Sequence, residues 1–215
     1  MITGAIFDVD GTILNSMEVW HNCGARYLEG LGIQAEPGLG DYLFTQTNET
    51  GAYYLIEHYG LDKDPEEIAA GMSQEMERYY FQEAEPKEGA IELLEDLKDR
   101  DIPMTVATST DRYLIEGGFR RLGLDRFFPD IFTCTEAGAT KEDPRIFFQA
   151  SESLGTDPAD TWVFEDGLYA VKTAKEAGFR TAAVFDTVSR SDWDELKGLA
   201  DVAVKSLTEL DPDCL

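Results

Sequence analysis

Basic residues are scarce in this sequence. Eighteen lysines and arginines stand against forty-three aspartates and glutamates, a formal net charge of −25. A surface of that sign repels nucleic-acid phosphates and anionic lipid, which argues against both as partners. It also requires any anionic substrate to meet a local patch of positive charge. Cysteine is scarce too: Cys23, Cys134 and Cys214 are odd in number and lack metal-site spacing, so they read as free thiols in a reducing compartment. There is no apolar run long enough to span a bilayer, no low-complexity tract and no internal repeat. The opening MITGAIFDVD passes almost directly into a strand, leaving no room for a leader peptide. The expectation is a cytoplasmic protein, monomeric by default, with a small metabolite as its partner.

What is present is 215 residues of ordinary globular composition, 43% hydrophobic and 11% aromatic, enough for one good core and a smaller second unit. Ala5–Val9 is a short apolar run that ends at an acidic pair. The spacing then turns helical over Asn15–Gly30, with Gly30 and Gly32 marking the stop, and helical patterns follow at Thr50–Tyr59 and Pro65–Phe81. From residue 90 the pattern alternates. Helix 90–100 leads to strand 103–107, helix 111–122 to strand 131–134, helix 144–154 to strand 161–164, and helix 168–177 to strand 180–185. A last short strand, ADVAV, and a short helix finish the chain. Such alternation with short loops predicts an α/β fold with a Rossmann-like, doubly wound parallel sheet. The first strand belongs to that sheet, so residues 15–87 read as a helical cap inserted after it, and residues 1–14 and 88–215 as the catalytic core.

In open parallel sheets ligands sit at the carboxyl ends of the strands. Asp8, Asp10 and Thr12 follow the first predicted strand, and Thr108, Ser109 and Thr110 the second. Lys141 lies in the loop beyond the third, and Glu165 and Asp166 follow the fourth. Together these residue types suit phosphoryl transfer. An ionised Asp8 is a usable nucleophile, and Asp10 can protonate the leaving oxygen and then take a proton from water. Gly11 permits a sharp turn that brings backbone close to a phosphate. Asp8 and Asp166 offer hard oxygen ligands for Mg²⁺, with the Asp10 backbone carbonyl as a third, and Glu165 stands beside them. Lys141 adds a positive charge, and Thr108 with the following helix N-terminus donates to phosphate oxygens. The candidates for contacting substrate are Gly11, Thr12, Ser109 and His21.

Each of these residues also has a plain structural use. Asp8 and Asp10 are good turn formers, the 108–111 segment contains a helix cap, and Asp143 before Pro144 reads as another. His21 has Trp20 and Tyr27 nearby in sequence and serves packing as readily as catalysis. What binds the set together is its order: four polar groups, each after a predicted strand.

The stretches FDVDGTILNS, VATST, TKEDPRIF and VFEDG resemble the four motifs of the haloacid dehalogenase superfamily, in its β-phosphoglucomutase-like and phosphoglycolate-phosphatase-like subgroup. The resemblance spans essentially the whole chain, the helical insertion included. It implies Mg²⁺ dependence and an aspartyl-phosphate intermediate. It makes Asp8 the nucleophile, Asp10 the general acid and base, Thr108 the phosphate-binding hydroxyl, Lys141 the third-motif lysine, and Glu165 and Asp166 the acidic motif. Three positions depart from the pattern. Asn15 stands where Asp is common, KEDP replaces a more usual Lys-Pro-x-Pro, and Gly167 stands where Ser or Thr is frequent.

Within this resemblance Asp10 counts against the dehalogenases, which lack it, and a cap with only Lys63 and Lys87 counts against a phosphonatase. A phosphosugar mutase is the serious rival, because His21 falls where such proteins carry a cap histidine. A mutase must also anchor a second phosphate with cap cations. Residues 15–87 carry only Arg26, Lys63, Arg78 and Lys87 against fourteen acids. The expectation is therefore a phosphatase acting on a small phosphomonoester. A non-catalytic protein of the same fold, binding only phosphate or metal, would be expected to have lost one of Asp8, Asp10, Lys141 or Asp166. All four are present.

Overall fold

The computed structural model of the chain describes residues 2–215, with the side chain of Cys214 outside the description. The chain opens with strand β1 (Gly4–Phe7), whose four residues are all buried. Helices α1 (Met17–Gly30), α2 (Leu39–Leu43), α3 (Asn48–Tyr59) and α4 (Pro65–Arg78) follow, and α4 runs on into one wide π turn, Tyr79–Glu83. The alternating part then begins: α5 (Ala90–Asp99), β2 (Met104–Thr108), α6 (Arg112–Leu122), β3 (Ile131–Thr133), α7 (Cys134–Ala137), α8 (Arg145–Leu154), β4 (Thr161–Glu165), α9 (Leu168–Glu176), β5 (Arg180–Val184), α10 (Trp193–Leu199) and β6 (Val202–Val204).

The chain divides into two units, Met17–Glu83 and the remainder. The helical unit is narrower than the span 15–87 read from the sequence, because the flanking residues pair with one another. The Asn15 N–H donates to Glu85 O at 3.0 Å and the Lys87 N–H to Ile13 O at 2.7 Å. The helical unit has its own core of Tyr27, Leu28, Leu39, Ala52, Leu55, Ile68 and Met72. α1 approaches α2 so closely that a Cβ on Gly24 would lie 2.2 Å from a Leu43 methyl, which would have to move to admit it. α3 starts two residues earlier than its pattern suggested, since Thr47 and Thr50 cap it reciprocally.

In the larger unit six strands form one parallel sheet in the order β3-β2-β1-β4-β5-β6. β1 pairs with β2 (Ala5 opposite Met104) and with β4 (Ala5 opposite Trp162). β1, β2 and β4 are buried along their whole length, as central parallel strands are, and β2 and β4 enclose Thr105, Thr108, Thr161 and Glu165 among their apolar residues. Ile6, Ala107 and Val163 pack against Ile146, Phe147 and Ala150 of α8 and Ala170 and Ala174 of α9. Val171, Ala183, Trp193 and Leu196 form a second cluster. The chain leaves β1 toward β2 and β3, then returns to the other side of β1 for β4, β5 and β6. The strand order thus reverses between β1 and β4, where open α/β sheets bind their ligands.

β1 ends at Phe7 and not at Val9 as expected. The Val9 carbonyl accepts the N–H groups of Ile13 and Leu14, at 3.0 and 2.8 Å, and that of Thr12 at 3.3 Å, so it closes a tight turn and leaves the ladder. α2, α7 and α10 have no counterpart in the sequence reading, being too short to show a period. Cys23 and Cys134 are free thiols; the reading of Cys214 falls outside the described side chains. Among the described residues no helix is long and apolar enough to cross a membrane.

Candidate active site

Asp8 follows β1 directly. Its N–H still donates to Phe164 O at 2.9 Å, so the side chain is set by the β1–β4 pairing, and it is buried. Lys141, also buried, extends its ammonium between two carboxylates: it donates to Asp8 Oδ1 and, at 2.7 Å, to Glu165 Oε2. The other Glu165 oxygen accepts the Gly167 N–H at 3.1 Å. Asp166 turns one oxygen to the Ser189 hydroxyl at 3.0 Å. Asp8, Glu165 and Asp166 each bring an oxygen within 4.8 Å of the others.

Three enclosed carboxylates around one ammonium are electrostatically incomplete. Burial, and after it the Glu165 charge, hold the Asp8 pKa well above the usual carboxylate range, with Lys141 pulling the other way. Burial and Glu165 push Asp166 up to about 8. Burial opposes the charge on Lys141, but the Asp8 and Glu165 carboxylates outweigh it and hold its pKa above the ordinary lysine range. If all four groups are ionised the cluster carries two surplus negative charges. A hard divalent cation on oxygen ligands fits that deficit, and no thiolate or imidazole in the cluster favours a softer metal. Glu165 has both oxygens occupied by Lys141 and Gly167, which leaves Asp8 and Asp166 as the better donors.

Asp10 is not one of these three carboxylates, though its charge adds to those that raise the Asp8 pKa. Its oxygens accept the Ser16 hydroxyl at 2.5 Å and the Thr110 hydroxyl at 2.6 Å, so the carboxylate is held by two donors and remains partly exposed. Gly11 takes φ 86°, the left-handed turn expected of it, and its N–H donates to Leu14 O at 2.9 Å. Thr108 ends β2, fully buried, with its hydroxyl accepting the Thr110 N–H at 3.1 Å. Ser109 is exposed, with its hydroxyl 3.5 Å from the Cys134 sulfur.

Two other candidates for substrate contact, Thr12 and His21, have partners or burial of their own. Thr12 is wholly enclosed by the Val9 turn, its hydroxyl lacks a partner among the described residues, and it presents no surface to a ligand. His21 belongs to the helical unit, where its Nε2 lies 2.9 Å from Asp41 Oδ1 and its ring packs on Gly40. A Cβ at Gly40 would come within 2.6 Å of that ring. The sequence reading gives Ser16 and Ser189 no role: Ser16 closes the first motif and Ser189 lies outside all four, and the fold brings each to its carboxylate.

A family model of haloacid dehalogenase-like hydrolases matches residues 5–184. Among named proteins, the chain is 28% identical to validoxylamine A 7'-phosphate phosphatase of Streptomyces hygroscopicus subsp. limoneus, over 96% of this chain and 94% of that one. It is 27% identical to a phosphorylated carbohydrates phosphatase of Thermotoga maritima, over 80% of each. Among solved structures, a putative β-phosphoglucomutase from Thermotoga maritima superposes with a TM-score of 0.82 at 25% identity, covering 95% of this chain and 94% of that one. With the strand-end motifs, the six-stranded sheet and the buried carboxylate cluster in agreement, the chain belongs to the haloacid dehalogenase-like hydrolases.

Proposed function

We propose that this hydrolase of phosphoric monoesters is a Mg²⁺-dependent phosphatase of small metabolites, sugar phosphates among them, working through a phosphorylated Asp8. The observation that carries the reading is the Lys141 ammonium shared between Asp8 and Glu165 beside Asp166. Its charge opposes the burial and the carboxylate repulsion that raise the Asp8 pKa, and so favours the ionised form at the carboxyl end of the central strand, where a nucleophile is needed. Bound Mg²⁺, held by Asp8 and Asp166 with the Asp10 carbonyl, would neutralise the phosphoryl oxygens and the surplus charge of the cluster.

The chain's own groups divide the remaining work. Asp8 attacks phosphorus and the ester oxygen departs, leaving an aspartyl-phosphate. Asp10 gives the leaving oxygen its proton, then receives one from the water that attacks the same phosphorus and frees Asp8. The hydroxyls of Ser16 and Thr110 hold the Asp10 carboxylate in one orientation for both steps. Lys141 offsets charge on Asp8 and on the phosphoryl group. Thr108 shapes the loop that carries Ser109 and Thr110 by accepting the Thr110 N–H.

A mutase reading draws support from the structural likeness to a putative β-phosphoglucomutase. Against it, Arg26 and Arg78 of the helical unit are both committed to Glu75 and Glu83, and His21 to Asp41. The named relatives described above are phosphatases. The test is phosphate release from p-nitrophenyl phosphate and a panel of sugar phosphates, with and without Mg²⁺, for wild type and Asp8→Asn. Metal-dependent release that disappears in Asp8→Asn is expected. Isomerisation of β-glucose 1-phosphate to glucose 6-phosphate without net release would replace this reading with the mutase.

A further inference from the structure

One lysine of the larger unit has no part in the chemistry above. Lys87 lies on the chain's return from the helical unit, with its side chain 14% exposed. Its ammonium donates to Gly11 O at 2.6 Å, to Phe185 O at 2.7 Å and to Asp186 Oδ2 at 3.0 Å. Three donors meet three acceptors, two of them backbone carbonyls. Withdrawing an ammonium from water for such a purpose is costly unless it is fully paired, so this lysine does more than balance a surface charge.

Both ends of the arrangement lead into the catalytic motifs. Gly11 follows Asp10, and Lys87 holds the carbonyl of that left-handed residue while its own N–H holds Ile13 O at 2.7 Å. The turn that carries Asp10 is thus gripped twice by one residue. At the other end, Asp186 Oδ1 accepts the Val188 N–H at 2.9 Å and so shapes the loop after β5. Ser189, next in that loop, donates to Asp166 Oδ2 at 3.0 Å. Polar contacts therefore run from Gly11 through Lys87 and Asp186 to Val188, and from the adjacent Ser189 to Asp166.

We propose that Lys87, paired with Asp186, is a positioning residue of the active site. Its ammonium locks the Asp8–Leu14 turn to the loop after β5 and so fixes Asp10 relative to Asp166. Lys87 touches no reacting atom. The turnover part of the proposal rests on the phosphatase reading; the structural part does not.

The experiment compares Lys87→Met, Lys87→Arg and the double variant Lys87→Met with Asp186→Asn. With p-nitrophenyl phosphate and Mg²⁺, Lys87→Met is expected to lower kcat by about tenfold or more and to change KM less than about threefold, as misplacement of catalytic groups does. Lys87→Arg, which keeps charge and donors, is expected to recover part of that loss. In the double variant the buried carboxylate is no longer left unpaired, so the melting temperature is expected to return while kcat stays low. Amide hydrogen exchange over residues 9–14 is expected to quicken by about tenfold in the Lys87→Met variants, with β4 unchanged, since local opening is read residue by residue. Recovery of kcat together with melting temperature in the double variant would reduce Lys87 to a packing element and overturn the proposal. Unchanged exchange in the turn would overturn it as well. The exchange needs no substrate, so a wild type that releases no phosphate would sink the phosphatase reading and leave this arm to decide. Should Lys87→Met fail to fold, the double variant carries the same readouts.

Discussion

Lys141 holds Asp8 and Glu165 on one ammonium, across the seam where β1 pairs with β4. The two carboxylates come from the ends of neighbouring strands, and the lysine arrives from a loop more than a hundred residues after Asp8. Attraction to that single charge opposes the repulsion between the two buried carboxylates.

Replacing Lys141 by Met should therefore damage both stability and activity. Removing one partner of a buried ion pair costs about 3–5 kcal/mol, because the other partner stays buried and uncompensated. Urea unfolding is expected to show a loss of that order without added metal. Loss of a buried electrostatic stabiliser lowers kcat by roughly 10²–10³. A variant as stable as wild type in urea would mean that Lys141 is not the group that holds the carboxylates together.

Thr110→Val and Ser16→Ala each remove one hydroxyl from Asp10 and leave its other donor. A hydrogen bond to a charged group contributes about 1.5–3 kcal/mol. Each variant is expected to lose roughly tenfold to a hundredfold in kcat/KM if that energy is expressed in the transition state. The double variant should lose less than the product of the two, because both act on one carboxylate. Strictly multiplicative losses would show that the two hydroxyls act independently.

The behaviour of Asp166 gives the pH dependence a definite sign. Its pKa is about 8 in the folded, metal-free protein against an ordinary value of 3.8. Between those values the folded state holds a proton that the unfolded chain has released. This contribution to stability is full below about pH 4 and falls as pH rises toward 8. The melting temperature of metal-free protein is expected to drop from pH 5 to pH 8, with a shallower slope in Asp166→Asn. Saturating Mg²⁺, which competes with that proton, should raise the melting temperature more at pH 8 than at pH 5. A larger shift at pH 5 would contradict the assignment.

Cys23 should be nearly inert in the folded protein. Burial, and then the Glu75 charge, push its thiol from 9.0 up to about 12, with Arg26 opposing, and the sulfur faces Met72 O at 3.2 Å. At pH 8 this leaves about a thousandfold less thiolate than an unperturbed thiol would have, and the thiolate is the species that reacts. Iodoacetamide followed by peptide mapping is expected to label Cys23 slowly in buffer and readily in urea. Equal rates in the two conditions would count against the packed environment described.

The chemistry of the site was legible because each motif sits at a strand end, and strand ends can be read from local pattern. Asp8, Asp10, Lys141, Glu165 and Asp166 are all candidates read in this way, and the fold gathers Asp8, Lys141, Glu165 and Asp166 into one buried cluster. What pattern does not carry is partnership over distance. Asp10 meets Thr110 across a hundred residues, and Asp166 meets Ser189 across an entire βα unit. The burial of Thr12 is illegible for a related reason. The residue lies in the motif, but the triple use of the Val9 carbonyl folds it inward, and no spacing rule reports that. α2 was hidden because five residues cannot display a helical period, and it is α2 that supplies Asp41 and Gly40 to His21.

The pairing of residues 13–15 with 85–87 has a consequence for how the chain tolerates change. The helical unit leaves and re-enters the sheet-bearing unit through one zipped neck, so the sheet experiences everything between Met17 and Glu83 as a single closed loop. The entropy of such a closure grows only with the logarithm of its length, about 0.6 kcal/mol for each doubling. A module with its own core, tied off at the base, can therefore be lengthened, shortened or exchanged with little thermodynamic effect on the sheet. Innovation in one part of the chain is in this way insulated from the part that must keep its shape.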